Sequence, residues 1–176
     1  NCSKLKGSIP GGLFSGLSGA PSSVGFHQAF QGCSGLTGSI PENLFAGSSG
    51  PAASQMFGST FSGCSGLTGE IPEKLFAGIT GAPQYNMFAY TFLGCGGLTG
   101  SIPENLFASV LGGDSVYMDE MFSGTFSGCT QLKEIPNNLF AGLKWESAET
   151  VGYLFTGTFS GCTSLTKIPD NLFGDV

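Results

Sequence analysis

The sequence contains no arginine, one histidine and one tryptophan, and only 10% of its 176 residues are charged. Six lysines stand against twelve acidic residues, which gives a net charge of −6. Proteins hold nucleic-acid phosphates with clustered lysine and arginine side chains, and anionic membrane surfaces attract the same residues. No apolar run has the length needed to cross a bilayer. The composition therefore predicts neither a nucleic-acid partner nor membrane insertion.

Closely spaced cysteine pairs are also missing. A structural zinc site needs four convergent ligands and usually contains a Cys-x-x-Cys pair, so the sequence predicts no metal. The cysteines are instead far apart, and each is followed three residues later by leucine; they are Cys2, Cys33, Cys64, Cys95, Cys129 and Cys162. One cysteine at the same point of each repeat predicts a ladder of buried, reduced thiols, because stacked side chains point in parallel and do not converge on a disulfide.

These cysteines mark an internal repeat of 31 to 34 residues. Behind each Cys-x-x-Leu comes Ile-Pro and then Leu-Phe, as in Ile40-Pro41 with Leu44-Phe45. A fixed period of this length is typical of stacked-repeat proteins, whose core is continuous along the stack. We therefore predict a single repeat domain over residues 1–176, with repeats that begin near the six cysteines. We also expect this domain to be a section of a longer array.

Each repeat is predicted to begin with a strand and a short helical turn. In the repeat that runs from residue 64 to 94, Leu67, Gly69 and Ile71 alternate with polar residues. That alternation is the period of a strand with one buried face. The following segment, residues 72–78, opens with proline and closes with glycine, which predicts one or two helical turns.

A longer helix is predicted from Pro83 to Cys95, because Phe88, Phe92 and Cys95 follow helical spacing. The same stripe recurs in the other repeats, so its residues are predicted to form the structural ladder of the core: Cys33, Cys64, Cys95, Cys129, Cys162, Phe61, Phe92, Phe126 and Phe159. The helices of the other repeats are predicted to begin at proline or at capping residues: Pro21, Pro51, Asp114-Ser115 and Glu146-Ser147.

The last two repeats are shorter by one residue between leucine and isoleucine. Three residues separate leucine from isoleucine in the first four repeats. In the last two repeats only two residues do, and these are Lys133-Glu134 and Thr166-Lys167. Removing one residue from a strand turns the following side chain to the other face. We therefore predict that the sheet changes its geometry between the fourth and the fifth repeat.

Segments 61–67 and 159–165 read Phe-Ser-Gly-Cys-Ser-Gly-Leu and Phe-Ser-Gly-Cys-Thr-Ser-Leu. They resemble the BspA-type bacterial surface leucine-rich repeat, in a long-period variant. The resemblance implies an α/β leucine-rich-repeat solenoid of about five to six coils, with a parallel sheet on one face and helices on the other. It also implies an extracellular or cell-surface location.

The sequence offers no convergent catalytic residues, so we predict that the protein is not an enzyme and needs no cofactor. Its only histidine, His27, falls at a position that is glycine, alanine, serine or threonine in other repeats. Three carboxylates lie close together in the sequence at Asp114, Asp119 and Glu120. Carboxylate oxygens are the ligands that calcium prefers, but the spacing of these residues matches no known calcium-binding loop. We therefore interpret them as a solvated acidic turn.

Binding residues are therefore sought where the repeats differ. The variable segments carry tyrosine and tryptophan, which dominate binding hot spots, and the candidates are Tyr85, Tyr90, Tyr117, Trp145 and Tyr153. A second candidate surface is the outward face of the strands, which would display Thr37, Thr68 and Thr99.

From these candidates we predict a non-enzymatic extracellular recognition or adhesion scaffold. It would bind a protein or a glycan ligand through the variable loops or the exposed sheet face. The alternative is a purely structural stalk, coat or filament subunit, in which copies of the chain assemble end to end through uncapped ends.

Overall fold

The structure is a computed structural model and describes residues 2–19, 21–114, 117–146 and 148–174. These ranges contain one helix and four short strands, in the order β1 (Gly50–Pro51), β2 (Ile79–Thr80), β3 (Gly100–Ser101), α1 (Ala108–Leu111) and β4 (Leu132–Glu134). Strand β1 pairs with β2, and β3 pairs with β4, both in parallel. In the same ranges no helix has the length and the apolar character to cross a membrane.

The predicted α/β leucine-rich-repeat solenoid is wrong. The described residues contain a single helix of four residues, and each sheet has only two strands. Where a continuous sheet was predicted, most neighbouring repeats are joined by isolated parallel bridges, such as Gly38 with Leu67 and Gly69 with Leu98. Residues 72–78, predicted as helical turns, form turns closed by bonds between an N–H and the carbonyl three residues earlier.

The long helix predicted from Pro83 to Cys95 is also wrong, and consecutive turns take its place. The N–H groups of Ala89 and Thr91 bond to the carbonyls three residues earlier. The N–H groups between them, of Phe88, Tyr90 and Phe92, bond instead to carbonyls of the next repeat at 2.8–3.0 Å. We call this arrangement a turn ribbon, and it occupies residues 24–32, 55–63, 86–94, 120–128 and 153–161.

Positive backbone φ angles at every fourth residue make the ribbon possible. In the third ribbon they fall at Asn86, Tyr90 and Gly94, with values of 52°, 57° and 71°. A left-handed residue other than glycine costs roughly 1–2 kcal/mol. An α-helix would avoid this cost but would bond all its N–H groups internally. The ribbon leaves every second N–H free to bond the next repeat, and those bonds offset the strain.

All 16 phenylalanines lie in three ladders that run along the stack of repeats. The ladders are Phe14, Phe45, Phe76, Phe107, Phe140 and Phe173; Phe26, Phe57, Phe88, Phe122 and Phe155; and Phe30, Phe61, Phe92, Phe126 and Phe159. Ring centroids of neighbours in a ladder are between 5.5 and 6.3 Å apart. The three ladders also contact one another, so they form one aromatic core.

Two polar columns run beside these rings. Cys33, Cys64, Cys95, Cys129 and Cys162 are buried, whereas Cys2 is exposed. The Sγ of Cys95, which opens the fourth repeat, donates to the carbonyl of Phe61 at the end of the second repeat at 3.0 Å, and equivalent bonds recur along the column. The second column is threonine: Thr60, Thr91, Thr125 and Thr158 are buried, and their hydroxyls bond phenylalanine carbonyls of the preceding repeat at 2.9 Å.

Glycine lets adjacent repeats approach where the cysteine segment turns. A Cβ on Gly66 would lie 2.4 Å from the carbonyl oxygen of Leu36, and Gly35 and Gly97 are placed in the same way. The fifth and sixth repeats carry Gln131 and Ser164 at this position. The pairing of β3 with β4 shifts register between the fourth and the fifth repeat, as the missing residue predicted. The predicted capping residues Ser115 and Ser147 lie outside the described residues.

Candidate functional site

The five aromatic residues proposed from the sequence as binding residues all have exposed side chains. Their exposed fractions are 39% for Tyr85, 38% for Tyr90, 52% for Tyr117, 42% for Trp145 and 75% for Tyr153. The ladder phenylalanines from Phe45 to Phe126 are at most 3% exposed by comparison. The structure therefore divides the aromatic residues into a core set and a surface set.

Three of the tyrosines lie at or just before the start of a ribbon, in the third, fourth and fifth repeats. Tyr85 directly precedes the third ribbon, Tyr117 lies three residues before the fourth, and Tyr153 opens the fifth. Backbone pairing aligns these starts: Tyr117 bridges Thr150, and the N–H of Glu120 bonds to the carbonyl of Gly152 at 2.8 Å. We call Tyr85, Tyr117 and Tyr153 the tyrosine edge.

An acidic side chain ties two repeats together at this edge. The carboxylate of Asp119 accepts a hydrogen bond from the N–H of Gly152 at 2.6 Å and another from the hydroxyl of Thr150. Asp114 instead pairs with Lys144 at 3.3 Å. Among the described residues no group of three metal-binding side chains occurs. The acidic segment therefore joins the fourth repeat to the fifth through separate contacts.

Tyr90 differs from the tyrosine edge because it packs across a repeat boundary. A Cβ on Gly124 would lie 2.5 Å from Cδ1 of the tyrosine ring, so the ring rests on the bare backbone of the next repeat. The hydroxyl of Ser123 also donates to the Tyr90 hydroxyl oxygen at 3.2 Å. Two contacts thus hold this ring against the surface of the ribbon.

Trp145 packs on the end of a core ladder. Its ring centroid lies 5.8 Å from that of Phe173 in an edge contact. Phe173 is the last member of its ladder and is itself 39% exposed. The indole therefore covers part of the ladder end, and this contact separates its role from that of the tyrosine edge.

The second surface predicted from the sequence carries a row of threonines. The N–H groups of Thr37, Thr68 and Thr99 each bond a glycine carbonyl of the preceding repeat at 2.8–2.9 Å, which places the three residues in register. Thr37 and Thr68 are exposed, and Thr99 is half-buried. Backbone bonding therefore fixes the spacing of this row.

An acidic groove that the sequence analysis did not single out lies on the same side of the repeats. It has a volume of about 630 Å³, and the carboxylates that line it are Glu42, Glu70, Glu73 and Glu104. Its lining contains no lysine. Glu73 and Glu104 accept hydrogen bonds from the amides of Asn105 and Asn138 at 3.4 Å. The threefold recurrence of Ile-Pro-Glu was the sequence signal for this row.

No protein-family model, curated protein or solved structure matches this chain. The resemblance to the BspA-type repeat stays a prediction about the sequence motif. The function is therefore argued from the residues of the chain itself.

The buried cysteines are not arranged for reactivity. Burial raises the pKa of the Cys64 and Cys129 thiols to about 12, and it raises the pKa of Cys95 well above the ordinary value of 9.0. A neutral thiol is a poor nucleophile and a poor metal ligand. The column therefore serves the packing of the core.

His27 packs against the next repeat. Its side chain is half-buried, and a Cβ on Gly58 would lie 2.9 Å from its Nδ1. The Nδ1 atom is buried and has no hydrogen-bond partner within the described residues. A general base needs a second group that orients it, and within the described ranges no hydrogen-bond partner orients this ring.

Proposed function

We propose that this chain is a non-enzymatic recognition or adhesion scaffold that acts outside the cell and binds a protein or glycan ligand at its tyrosine edge. The observation that carries the proposal is the placement of Tyr85, Tyr117 and Tyr153 at or just before the ribbon start in three consecutive repeats, all with exposed rings. The phenylalanines, by contrast, are all committed to the core ladders.

The chemistry of tyrosine supports this role. Tyrosine offers a large apolar ring and a hydroxyl at low conformational cost, and it recurs in binding hot spots. The aligned ribbon starts hold the three tyrosines on a rigid base, because Asp119 and the backbone bonds of Glu120 join the repeats beneath them. A ligand that contacts two repeats would therefore bind a surface that is already ordered.

The threonine row and the acidic groove are less suited to the same ligand. Four carboxylates in the groove favour a basic partner, and small hydroxyls supply little contact area. We therefore assign the ligand contact to the tyrosine edge and use the threonine row as the control surface.

Binding of the 176-residue chain to arrays of glycans and of extracellular-matrix proteins tests the proposal. For any ligand found, we expect the double variant Y117A/Y153A to lose affinity by about tenfold or more, as hot-spot truncations do. The matched control T37A/T68A removes two exposed side chains from the other surface and should bind like the parent. A ligand that loses affinity only with the threonine variant would move the site to the sheet face, and silence across both arrays would refute the proposal.

A further inference from the structure

The carboxylates of the acidic groove come from two places in the repeat. Glu42, Glu73 and Glu104 directly follow the proline of the Ile-Pro pair in three consecutive repeats, and Glu70 directly precedes such a pair. A Cβ on Gly100 would lie 2.9 Å from Cγ and Oε1 of Glu70, so this side chain rests on the bare backbone of the next repeat. The groove therefore lies in the interior of the stack, within the second to the fifth repeat.

Proline rings supply much of the apolar lining of the groove. Pro72, Pro103 and Pro136 line it and are half-buried, so part of each ring is exposed. Parallel backbone pairing just before these residues, of Gly69 with Leu98 and of β3 with β4, places consecutive repeats about 4.8 Å apart. The rings therefore form an apolar row whose spacing is fixed by the backbone.

The negative charge of the groove is not balanced by a lysine. Glu42 and Glu70 have no hydrogen bond or ion pair within the described residues, and Glu73 and Glu104 accept only the amide bonds at 3.4 Å. Neither of the two ion pairs in the described ranges involves a residue of the groove. Carboxylates that recur at about one strand spacing repel one another. A cationic ligand in the groove would remove this repulsion.

The unbalanced charge ends in the fifth repeat. Asn137 there takes the place of the glutamate that follows proline, and the carboxylate of Glu134 accepts a hydrogen bond from the hydroxyl of Ser101 at 2.9 Å. Lys133 and Lys167 line the neighbouring cavity, which has a volume of about 350 Å³. The anionic stretch is thus confined to the second, third and fourth repeats, and this boundary fixes where the cations of a ligand would lie.

We propose that the acidic groove binds a lysine- or arginine-rich segment of a partner protein in an extended conformation. Lysine and arginine lay their apolar stems along an apolar surface and carry their charge at the tip, which matches proline rings beside carboxylates. Complementary charge guides such a segment to the groove and sets its position there. Glu42 and Glu104 are two repeat spacings apart, about 10 Å, and cations on one face of an extended chain are about 7 Å apart. The groove therefore takes two or three cationic side chains.

A synthetic peptide in which six lysines alternate with alanine is the probe of this chemistry. Its binding to the 176-residue chain is measured by titration calorimetry at low and at physiological salt, and amide resonances locate the site. We expect saturable binding that weakens as salt is added, with resonance shifts at residues 70–73 and 101–104. Two control peptides replace lysine by norleucine, which keeps the stem without the charge, and by diaminopropionic acid, which keeps the charge on a shorter stem. Each should bind about tenfold more weakly or worse.

Matched variants of the chain test the site itself. E70Q/E73Q neutralises two exposed carboxylates of the groove, and E146Q/E149Q makes the same change in net charge on exposed residues of the fifth repeat. The first should lose affinity for the lysine peptide by about tenfold or more, whereas the second should bind it like the parent. The variant Y117A/Y153A should also bind it like the parent, which separates this site from the tyrosine edge.

Four results would overturn the proposal. They are an equal loss of affinity in the two glutamine variants, equal binding of the control peptides, resonance shifts confined to other residues, and no binding of millimolar peptide at low salt. Spermine that binds as tightly as the lysine peptide would assign the groove to a polyamine and equally overturn it.

Discussion

The Ile-Pro motif occurs in two environments within this molecule, and its isoleucine behaves differently in each. In the third and fourth repeats Ile71 and Ile102 are 2% and 1% exposed, but in the sixth repeat Ile168 is 74% exposed. The local sequence is similar in all three places. What differs is the presence of a following repeat, which also covers Ile9 of the first repeat and leaves it 4% exposed. Burial in this fold is therefore decided by neighbouring repeats and not by the motif alone.

The largest expected difference between the interior repeats and the last repeat is in the stability that is lost when a phenylalanine is replaced by alanine. Phe126 is fully buried between Phe92 and Phe159, so the substitution F126A should lower the free energy of unfolding by about 3–5 kcal/mol. Phe173 is 39% exposed at a ladder end, and F173A should cost about 1–2 kcal/mol. Urea unfolding of both variants measures the difference. Equal losses of unfolding free energy in the two variants would mean that contact with repeats on both sides does not decide how much a ladder phenylalanine stabilises the fold.

Glycine-to-alanine substitutions should give a second, smaller difference in stability between positions where repeats touch and positions where they do not. A Cβ on Gly66 would lie 2.4 Å from the backbone oxygen of Leu36, so G66A should force two repeats apart at a cost of about 1–3 kcal/mol. Gly16, in the first repeat, has nothing within 4 Å of an added Cβ. The control G16A should change stability by no more than about 0.5 kcal/mol. A stable G66A variant would contradict the close approach of repeats at this point.

Alkaline pH should destabilise the fold through the buried thiols of Cys64 and Cys129. Below the ordinary thiol pKa of 9.0 neither state ionises, so these thiols add no pH dependence. Above it the unfolded thiols lose protons, while Cys64 and Cys129 stay protonated up to about pH 12 because burial raises their pKa. The free energy of unfolding should therefore fall as the pH rises from about 9 towards 12.

The double variant C64A/C129A should flatten this decline. Thiol labelling provides an independent check: Cys2 should react quickly in the native chain, and six thiols should react after denaturation without reductant. Fewer than six free thiols would mean that the column contains a disulfide.

The smallest effect is expected at the tyrosine edge. Tyr117 is 52% exposed, so Y117A should change the free energy of unfolding by less than about 1 kcal/mol. Thermal unfolding of this variant beside F126A checks the division between core and surface aromatics. A loss as large as that of F126A would show that Tyr117 supports the stack and is a poor choice of ligand contact.

The packing along the stack could be predicted from the sequence, but the local backbone could not. Leu67 and Ile71 are buried and Thr68 is exposed, as alternation predicted. The failure concerned Phe88 and Phe92, whose spacing of four suits a helix and a turn ribbon equally well. Only the backbone bonds distinguish the two, because a helix bonds within itself and the ribbon bonds to its neighbour.

Two signals for the ribbon were nevertheless present. Glycines recur four residues apart in the last two ribbons, as in Gly124 and Gly128, where φ is positive. Glycine at that spacing weakens a helix and permits left-handed turns. The threonine that precedes the second phenylalanine of the ribbon also recurs, as in Thr91, and a recurring polar residue at a core position indicates a buried hydrogen bond. The tyrosine edge lies in variable segments, so its residues could be named from the sequence but their common place near the ribbon starts could not.

The alternate bonding of the ribbon also sets how the chain can begin to fold. A single repeat on its own leaves every second ribbon N–H without an acceptor and bears the strain of residues such as Asn86 and Tyr90 without compensation. In a pair of adjacent repeats the first ribbon bonds its alternate N–H groups to the second, so two repeats are the smallest unit that has this bonding and the nucleus must contain two. Each later repeat then adds to an existing template, at the cost of closing a loop of about 31 residues. Growth of the stack should therefore be faster than its initiation, and refolding should show a lag that disappears when a folded pair is already present.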